Sequence, residues 1–522
     1  MPRAGSGPRL LVLAPLRVEA LALGPGLVSR IGPVTLAVHR TGMGLAKARR
    51  AAEQLSRPGP GSPRAGRPVA VAVAGLGGGL RGEHSRDLVP GDLVVADRLL
   101  DGTGHEVARL GSAPLLAGEL QRCGLRARTG TIVSTDHIVT GDERVKLAGL
   151  GAEVVDMESA AVAGSPWDRP LAVLRAISDT PDVELFSPAG LGGVGKALRS
   201  LRAARPALAR WAAAAATREL VLAEPRSFCA GVRRAIETVE RTIELYGPPV
   251  YVRRQIVHNA RVVSRLEAAG AVFVAELAEV PDGARVVFSA HGVGNSVQAE
   301  AAQRRMSTID ATCPLVTKVH NEARRFAAAG RQIVLIGQPG HDEVEGTLGI
   351  VPEMSLVTTA ADVLGLDLDT TRPTAIITQT TLATDEVSGV IQAMEHRFGD
   401  LARPAASDIC YASQNRQQAV RAMAPECDLV LVMGSANSSN SRRLVEVAER
   451  SGTPAHLVDS KFDLRLEWLE GARRVGITAG ASAPEELVQE VIDCLAGLGP
   501  VSMPVRSAGD ERVFFPLPAE VR

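Results

Sequence analysis

Three of the six cysteines stand where an apolar run meets a small-residue turn that opens a helix-like segment. They are Cys229 in AEPRSFCAGVRRAIETVE, Cys313 in DATCPLVTKVH and Cys410 in SDICYASQNRQ. A sulfur at such a turn lies near helix-opening amides, which favour the thiolate. No two form a CxxC pair. They are 84 and 97 residues apart, so one shared site requires three lobes that each bring a single thiolate to a common centre. Three thiolates with an open fourth position suit an iron–sulfur cluster that takes a ligand at its free iron. The same set also suits a structural zinc or a sensing metal, and any one of them alone suits a small buried apolar filler. Cys123, Cys427 and Cys494 lie in helix-like text and fit the filler role. Six cysteines in 522 residues are too sparse for a disulfide framework.

Polar residues gather around the same turns. Of ten histidines, His258 lies in IVHNARVV, His291 in FSAHGVG, His320 seven positions after Cys313, and His341 in QPGHDEVEGT. GSANSSNSRRLVEVAER adds hydroxyls and amides at a helix start, where the helix dipole favours a phosphate. Taken alone, NSSNS is a helix cap. Converging with several imidazoles, it describes a diphosphate pocket.

The elements that must position these groups follow from apolar periodicity. LLVLAPL, PVAVAVAG, GDLVVADRLL, GTIVST and LAVLRAIS read as short buried strands separated by helical text; a second such series runs from RELVLAEP to RRVGITAG. Both halves are therefore α/β. Residues 196–218 read as a closing helix running into an alanine-rich connector, which places a boundary near 215, with domains 1–215 and 216–522. PGPGSPRAGR at 58–67 reads as a flexible loop, and no short-period repeat is visible. Charge is balanced, 58 basic against 58 acidic residues, with no basic run interleaved with aromatics, which argues against nucleic acid as a partner. No apolar stretch reaches the roughly 18–20 residues of a membrane span, and the start lacks a signal-peptide cleavage pattern, so a cytoplasmic location is expected.

From about 219 to 520 the chain resembles 4-hydroxy-3-methylbut-2-enyl diphosphate reductases. The resemblance is carried in order by PRSFCAGV, VHN, FSAHGV, DATCPLVTKVH, GHDEVEGT, TQTT, DICYASQNRQ, GSANSSNS and TAGASAPE. It implies a trilobed α/β iron–sulfur reductase unit with a [4Fe-4S] cluster on Cys229, Cys313 and Cys410. It implies substrate contacts from His258, His291, His341, Ser438, Ser439, Asn440 and Ser482, Thr380 and Thr381 near the substrate hydroxyl, and Glu343 as proton donor. The implied partners are a small diphosphate substrate and reduced ferredoxin or flavodoxin as electron donor, and the products isopentenyl and dimethylallyl diphosphate. One departure stands out: Ser227 occupies the position before Phe-Cys where the family pattern has glycine, a strain if glycine's φ is required.

Residues 8–195 resemble the nucleoside phosphorylase/nucleosidase family through LAPLRVEALAL, RTGMGLAKARRAA, VAVAGLGGGL, PGDLVVAD, GTIVSTD, AEVVDMESAAVA and LRAISDT. This resemblance implies an α/β phosphorylase-like domain with Glu158 on the ribose hydroxyls, Asp179 protonating the departing purine, and Glu19 near the anomeric carbon. The glycines of GLGGGL bring amides close to the ribose or an anion, or simply make a tight turn. The first 200 residues hold only Trp167 and Phe186 as aromatics, with His137 and Ile138 where an aromatic near the base is expected, so purine stacking is reduced. Two readings stay open for this half, an active nucleosidase or phosphorylase and a non-catalytic assembly module.

Overall fold

The computed structural model describes residues 7–24, 28–56, 67–82, 87–509 and 511–522. The loop expected at 58–67 lies, apart from Arg67, outside the described residues. Two compact units divide the chain. The first comprises Met1–Leu220, Ser460–Arg474 and Gln489–Met503; the second comprises Val221–Asp459, Val475–Val488 and Pro504–Arg522.

In the first unit every apolar run singled out above is a strand. Arg9–Ala14, Ala70–Gly79, Leu93–Asp101, Ala127–Ser134 and Leu171–Asp179 enter one nine-stranded mixed sheet. Leu171–Asp179 pairs with both Ala70–Gly79 and Leu93–Asp101, while Val154–Asp156 and Ala127–Ser134 link those same two strands on the other side. Five strands therefore close into a ring around buried Val73, Val94, Ile132, Val154 and Val173. Local alternation cannot reveal closure, because it depends on one strand finding two partners.

The closing helix differs from expectation. It is two helices, Pro188–Ala203 and Arg205–Ala214. Pro206 lies in the first turn of the second, where its missing N–H costs nothing and a new helix is favoured over continuation. Ala207, Ala212 and Ala214 are buried with Trp211, whose indole N–H donates to Ser112 Oγ at 3.2 Å, so the alanines pack as core and do not form an exposed connector.

The second unit is built on three parallel sheets. Their strand orders are Ala271–Val274, Val250–Arg253, Arg285–Phe288, Ser307–Asp310; then Ser355–Val357, Gln332–Ile336, Thr374–Thr378, Leu401–Ala402; then Ala455–Val458, Leu429–Met433, Arg474–Ala479, Arg218–Glu224. The first four strands of each sheet have the spatial order second, first, third, fourth; in the last sheet, which has six strands, the fourth place is taken by the strand that opens the unit, Arg218–Glu224, which also pairs with the short strands Val501–Ser502 and Val505–Ser507. The order reverses between the first and third strands, and ligands of open α/β sheets collect at that switch point, beyond the carboxyl ends. This threefold repeat of topology has no matching repeat in sequence. Each lobe carries its own apolar core, for example Val252, Ile256 and Val287; Ile336, Ile376 and Val390; Val430, Val432 and Leu444. No described helix is long and apolar enough to cross a membrane.

Candidate functional site

The fourth strand of each sheet in the second unit runs into a helix whose N-cap is a cysteine. Cys229 caps Ala230–Tyr246, Cys313 caps Pro314–Ala328 and Cys410 caps Tyr411–Met423. Backbone amides reach the sulfurs: Val232 N to Cys229 at 3.5 Å, Ser413 N to Cys410 at 3.3 Å, and those of Leu315 and Val316 to Cys313. All three line one cavity of about 110 Å³. A side chain at position 231 would place its Cβ 2.6 Å from Cys313 Sγ and 3.8 Å from Cys229 Sγ, so glycine there is a requirement of space. The expected lowering of thiol pKa by the amides is outweighed. Burial pushes Cys313 up to about 12, with the charge of Cys229 adding, and pushes Cys410 up to about 11 for the same two reasons.

The segments after the first and third strands of the same sheets supply the histidines, the acid and the hydroxyls. His258 and His291 follow those strands in one lobe, His341 with Glu343 and Thr380 with Thr381 in the next, Ser438–Asn440 and Ser482 in the last; all line the cavity. The imidazoles of His258 and His291 stack with centroids 4.3 Å apart, and His341 meets them edge-on at 5.4 and 5.8 Å. Desolvation lowers all three, His341 to about 4, so the cluster is neutral at neutral pH. His341 Nδ1 accepts from Glu343 N at 3.1 Å, leaving its proton on Nε2. Both ring nitrogens of His258 and the amide oxygen of Asn440 are buried without a protein partner. A buried polar atom left unpaired is costly, so the His258 N–H is placed to donate to a ligand's oxygen and the Asn440 oxygen to accept from a ligand's donor. Ser438 does cap its helix, accepting from Ser441 N at 3.3 Å, and also shares a hydrogen bond with Ser482 at 3.1 Å; the cap and the pocket are the same hydroxyl.

Glu343 is fully desolvated. Thr380 N donates to its Oε1 at 2.6 Å and Thr380 Oγ1 lies 2.9 Å from its Oε2. Burial raises it to about 7, and the two Thr380 contacts oppose that only in part. Some residues had gone unassigned. Tyr411 and Phe515 line the cavity, and Arg254 holds Glu345 at 2.6 Å and pairs with Asp342, tethering the helix that carries Glu343. Tyr411 was readable from its place directly after Cys410; Phe515 lies in C-terminal text with no motif. His320 lies in a helix against Gly292 and does not line the cavity. Of the remaining cysteines, Cys494 is buried as expected and Cys123 is exposed, because it falls just beyond the end of its helix.

Ser227 adopts φ 59°, the left-handed region that favours glycine. Its hydroxyl donates to Glu485 Oε2 at 2.6 Å, and Arg416 Nη2 donates to its carbonyl at 2.6 Å. These bonds hold a backbone that serine would otherwise avoid.

In the first unit a cavity of about 350 Å³ brings Glu19, Glu158 and Asp179 together. Glu19 accepts from Leu16 N at 2.6 Å and Leu76 N at 2.7 Å, and Glu158 from Gly44 N at 2.9 Å. Burial raises both, Glu158 to about 7, against the pull of Arg175. Arg175 is fully buried and pairs with Asp156 at 2.6 Å and Glu158 at 3.4 Å. The GLGGGL glycines are neither a turn nor an anion loop. Gly75, Gly77, Gly78 and Gly79 lie in the strand Ala70–Gly79, and a Cβ on Gly75 would come within 2.5 Å of Arg175 Nη1 and 2.8 Å of Glu19 Oε1. Phe186 lines the mouth, largely exposed, whereas Trp167 packs on the core.

A protein with three parallel lobes, one thiol from each, and a neutral imidazole cluster beside a buried acid defines a class. The chain belongs to the LytB protein family, whose model matches residues 220–496. It is 55% identical over 308 residues to 4-hydroxy-3-methylbut-2-enyl diphosphate reductase 2 of Mycobacterium bovis, covering 58% of this chain and 94% of that protein. It is 55% identical over 305 residues to the Bordetella pertussis reductase, with the same coverage. The solved E-1-hydroxy-2-methyl-but-2-enyl-4-diphosphate reductase of Plasmodium falciparum superposes with a TM-score of 0.56 at 35% identity, over 58% of this chain and 97% of that one. Residues 17–190 match the Phosphorylase superfamily model.

Proposed function

We propose that the second unit reduces 4-hydroxy-3-methylbut-2-enyl diphosphate, removing its allylic hydroxyl as water to give isopentenyl and dimethylallyl diphosphate in the non-mevalonate route. The observation that carries this reading is the meeting, in one cavity, of three thiols, three neutral imidazoles, of which His258 has both ring nitrogens unpaired, and a buried acid near neutrality. Cys229, Cys313 and Cys410 fit a [4Fe-4S] cluster. Burial and mutual repulsion oppose three bare thiolates, and a cationic centre among them removes both penalties. Such a cluster, when bound, supplies electrons and Lewis acidity at the substrate's oxygen.

The chain's own residues do the rest. His258, His291, His341, Ser438, Ser439, Asn440 and Ser482 ring the diphosphate, their N–H and O–H groups donating to its oxygens. Thr380 and Thr381 flank the hydroxyl. Glu343 Oε1 accepts a hydrogen bond from the Thr380 amide, so the acid proton resides on Oε2, facing Thr380 Oγ1. Passage from Glu343 through that hydroxyl delivers the proton that lets the allylic oxygen leave as water. Two electrons and two protons balance the reaction, with reduced ferredoxin or flavodoxin as their electron source.

The test is anaerobic turnover of the allylic diphosphate with a chemical reductant. A colourless protein, or a brown one that leaves the substrate intact, would sink the proposal in favour of a structural or sensing metal.

For the first unit, the reading favoured is a nucleoside site with Glu158 on the ribose hydroxyls. Its support is that Glu19, Glu158 and Asp179 line one cavity, which a non-catalytic assembly module has no need to build.

A further inference from the structure

The three imidazoles of the second unit are not equivalent. His341 Nδ1 accepts from Glu343 N at 3.1 Å, so that lone pair is engaged and the hydrogen lies on Nε2. His258, by contrast, has both ring nitrogens buried without a protein partner, and it stacks on His291 with centroids 4.3 Å apart. The stack has an anionic neighbour. Asp342 gives one carboxylate oxygen to Arg254 and turns the other towards His291 Nδ1, 3.9 Å away. One ligand atom from each of His258, His291 and Asp342 lies within 4.8 Å of the other two. A pocket that served an anion alone would gain nothing from a carboxylate at this corner, whereas a cation there is attracted by it.

We infer that His258, His291 and Asp342 bind a divalent transition ion of the zinc class, and that this ion competes with the diphosphate for the pocket. The inference rests on the diphosphate reading above and adds to that site a metal that blocks it.

The donor set selects the ion. Two neutral imidazoles and one carboxylate, with a fourth position left to water, are a zinc-type set, while magnesium and calcium take oxygen ligands. His341 stays outside the set because its Nδ1 is already an acceptor. Arg254, on the far oxygen of Asp342, is the kind of outer contact that orients a ligating carboxylate. Ligand atoms about 2.0–2.1 Å from a tetrahedral zinc lie about 3.3 Å from one another, so His291 and Asp342 need approach by only about 0.6 Å. Ser289 Oγ, at 3.5 Å from His291 Nδ1, is too distant to hold that nitrogen against an ion.

Competition follows from the hydrogens. An imidazole nitrogen either carries a hydrogen and donates to an oxygen, or is bare and gives its lone pair to a metal. In the diphosphate reading His258 and His291 donate. Zinc on those nitrogens removes two of the three imidazole donors, so each ligand weakens the other.

The test uses the full chain with its iron in place, kept anaerobic at a free zinc concentration fixed by a metal buffer, which also corrects for chelation by the diphosphate. Elemental analysis should show a zinc bound by each chain with iron content unchanged. Asp342→Asn and His258→Ala should each need at least about tenfold more free zinc for half occupancy, since even an outer contact carries about 10- to 100-fold of metal affinity. Zinc gained only as iron is lost would place it on the thiols and overturn the inference, as would equal affinity in both variants. Without reductant, added allylic diphosphate should displace the zinc; zinc retained or bound more tightly overturns the competition. With reductant, zinc should raise KM for the allylic diphosphate in proportion to its free concentration and leave kcat unchanged. A chain that binds and releases zinc in this way yet turns over no allylic diphosphate overturns the reductase reading and leaves the metal site standing. Where neither variant folds, displacement of zinc by the diphosphate at constant iron decides the matter in the wild type.

Discussion

Replacing Glu343 by glutamine separates two consequences of one buried acid. The amide keeps the shape of the neutral carboxyl; its oxygen accepts from Thr380 N and its NH₂ donates to Thr380 Oγ1. What it loses is the proton, so kcat should fall by about 10²–10⁴ with substrate binding little changed. Stability should move the opposite way. Burial raises Glu343 from an ordinary 4.5 to about 7. Below pH 4.5 both folded and unfolded chains hold this proton, and its neutral form carries no penalty. Between 4.5 and 7 the unfolded chain releases it while the folded chain retains it, so the wild type loses stability as pH rises across that window. At about 1.4 kcal/mol per pH unit the full loss is about 3 kcal/mol, of which about 2 falls between pH 5.5 and 8. Glutamine does not titrate. The stability advantage of Glu343→Gln over wild type should therefore grow by about 2 kcal/mol from pH 5.5 to pH 8 in denaturant melts of protein prepared identically. A variant retaining more than about a tenth of the wild-type rate would move the proton to another group. An advantage flat with pH would show that Glu343 is ionised in the folded protein and cannot be the acid.

Cys229→Ser, Cys313→Ser and Cys410→Ser should each lose iron and turnover, whereas Cys427→Ser keeps both; iron analysis and visible absorbance decide, and bleaching by Cys427→Ser alone would overturn the ligand assignment. Because His258, His291 and His341 are held neutral by burial, a bound diphosphate should draw protons onto the cluster. Calorimetry in buffers of different ionisation enthalpy at pH 7 should register proton uptake, and His341→Ala should weaken binding. At Ser227, alanine keeps the left-handed backbone and loses the bond to Glu485, costing about 1 kcal/mol, while glycine loses the bond but also the strain and stays within about 1 kcal/mol of wild type. A melt in which Ser227→Gly is the worse of the two would contradict that account.

Much of the second site was legible because its chemistry is carried by short strings at strand ends. Cys229, Cys313, Cys410, the three imidazoles, Glu343 and the serines all fall where an apolar run stops, and parallel sheets gather ligands at those ends. What stayed hidden needed more than local text. The repeat of strand order in three lobes is a property of pairing, and in the third lobe the fourth strand comes from the start of the unit. The thiol environment was misjudged because amides near a sulfur are visible as a turn, whereas burial among two other sulfurs is not. In the first unit RAISD was noticed for Asp179, yet Arg175 in the same string anchors Asp156 and Glu158, and Arg144 lies 35 residues before its partner Asp179. Ion pairs of that kind leave no periodic trace.

The two cavities differ in what stands against their buried carboxyls. Glu343 has only an amide and a hydroxyl of Thr380 against it, and the nearest charge acting on it is the carboxyl of Asp408, which also disfavours ionisation. Nothing there opposes burial except neutral dipoles, so the group keeps a proton to give. In the first unit Arg175 pairs with Asp156 and Glu158, and Arg144 with Asp179, yet burial still raises Glu158 to about 7, so the guanidinium there opposes desolvation only in part. An arginine introduced within reach of Glu343 would fix its carboxylate charge and abolish proton delivery while leaving the three thiols in place. That variant should still bind iron and turn brown, and its turnover should fall as far as that of Glu343→Gln. If it turns over at the wild-type rate, the acid's protonation is not what limits the reaction.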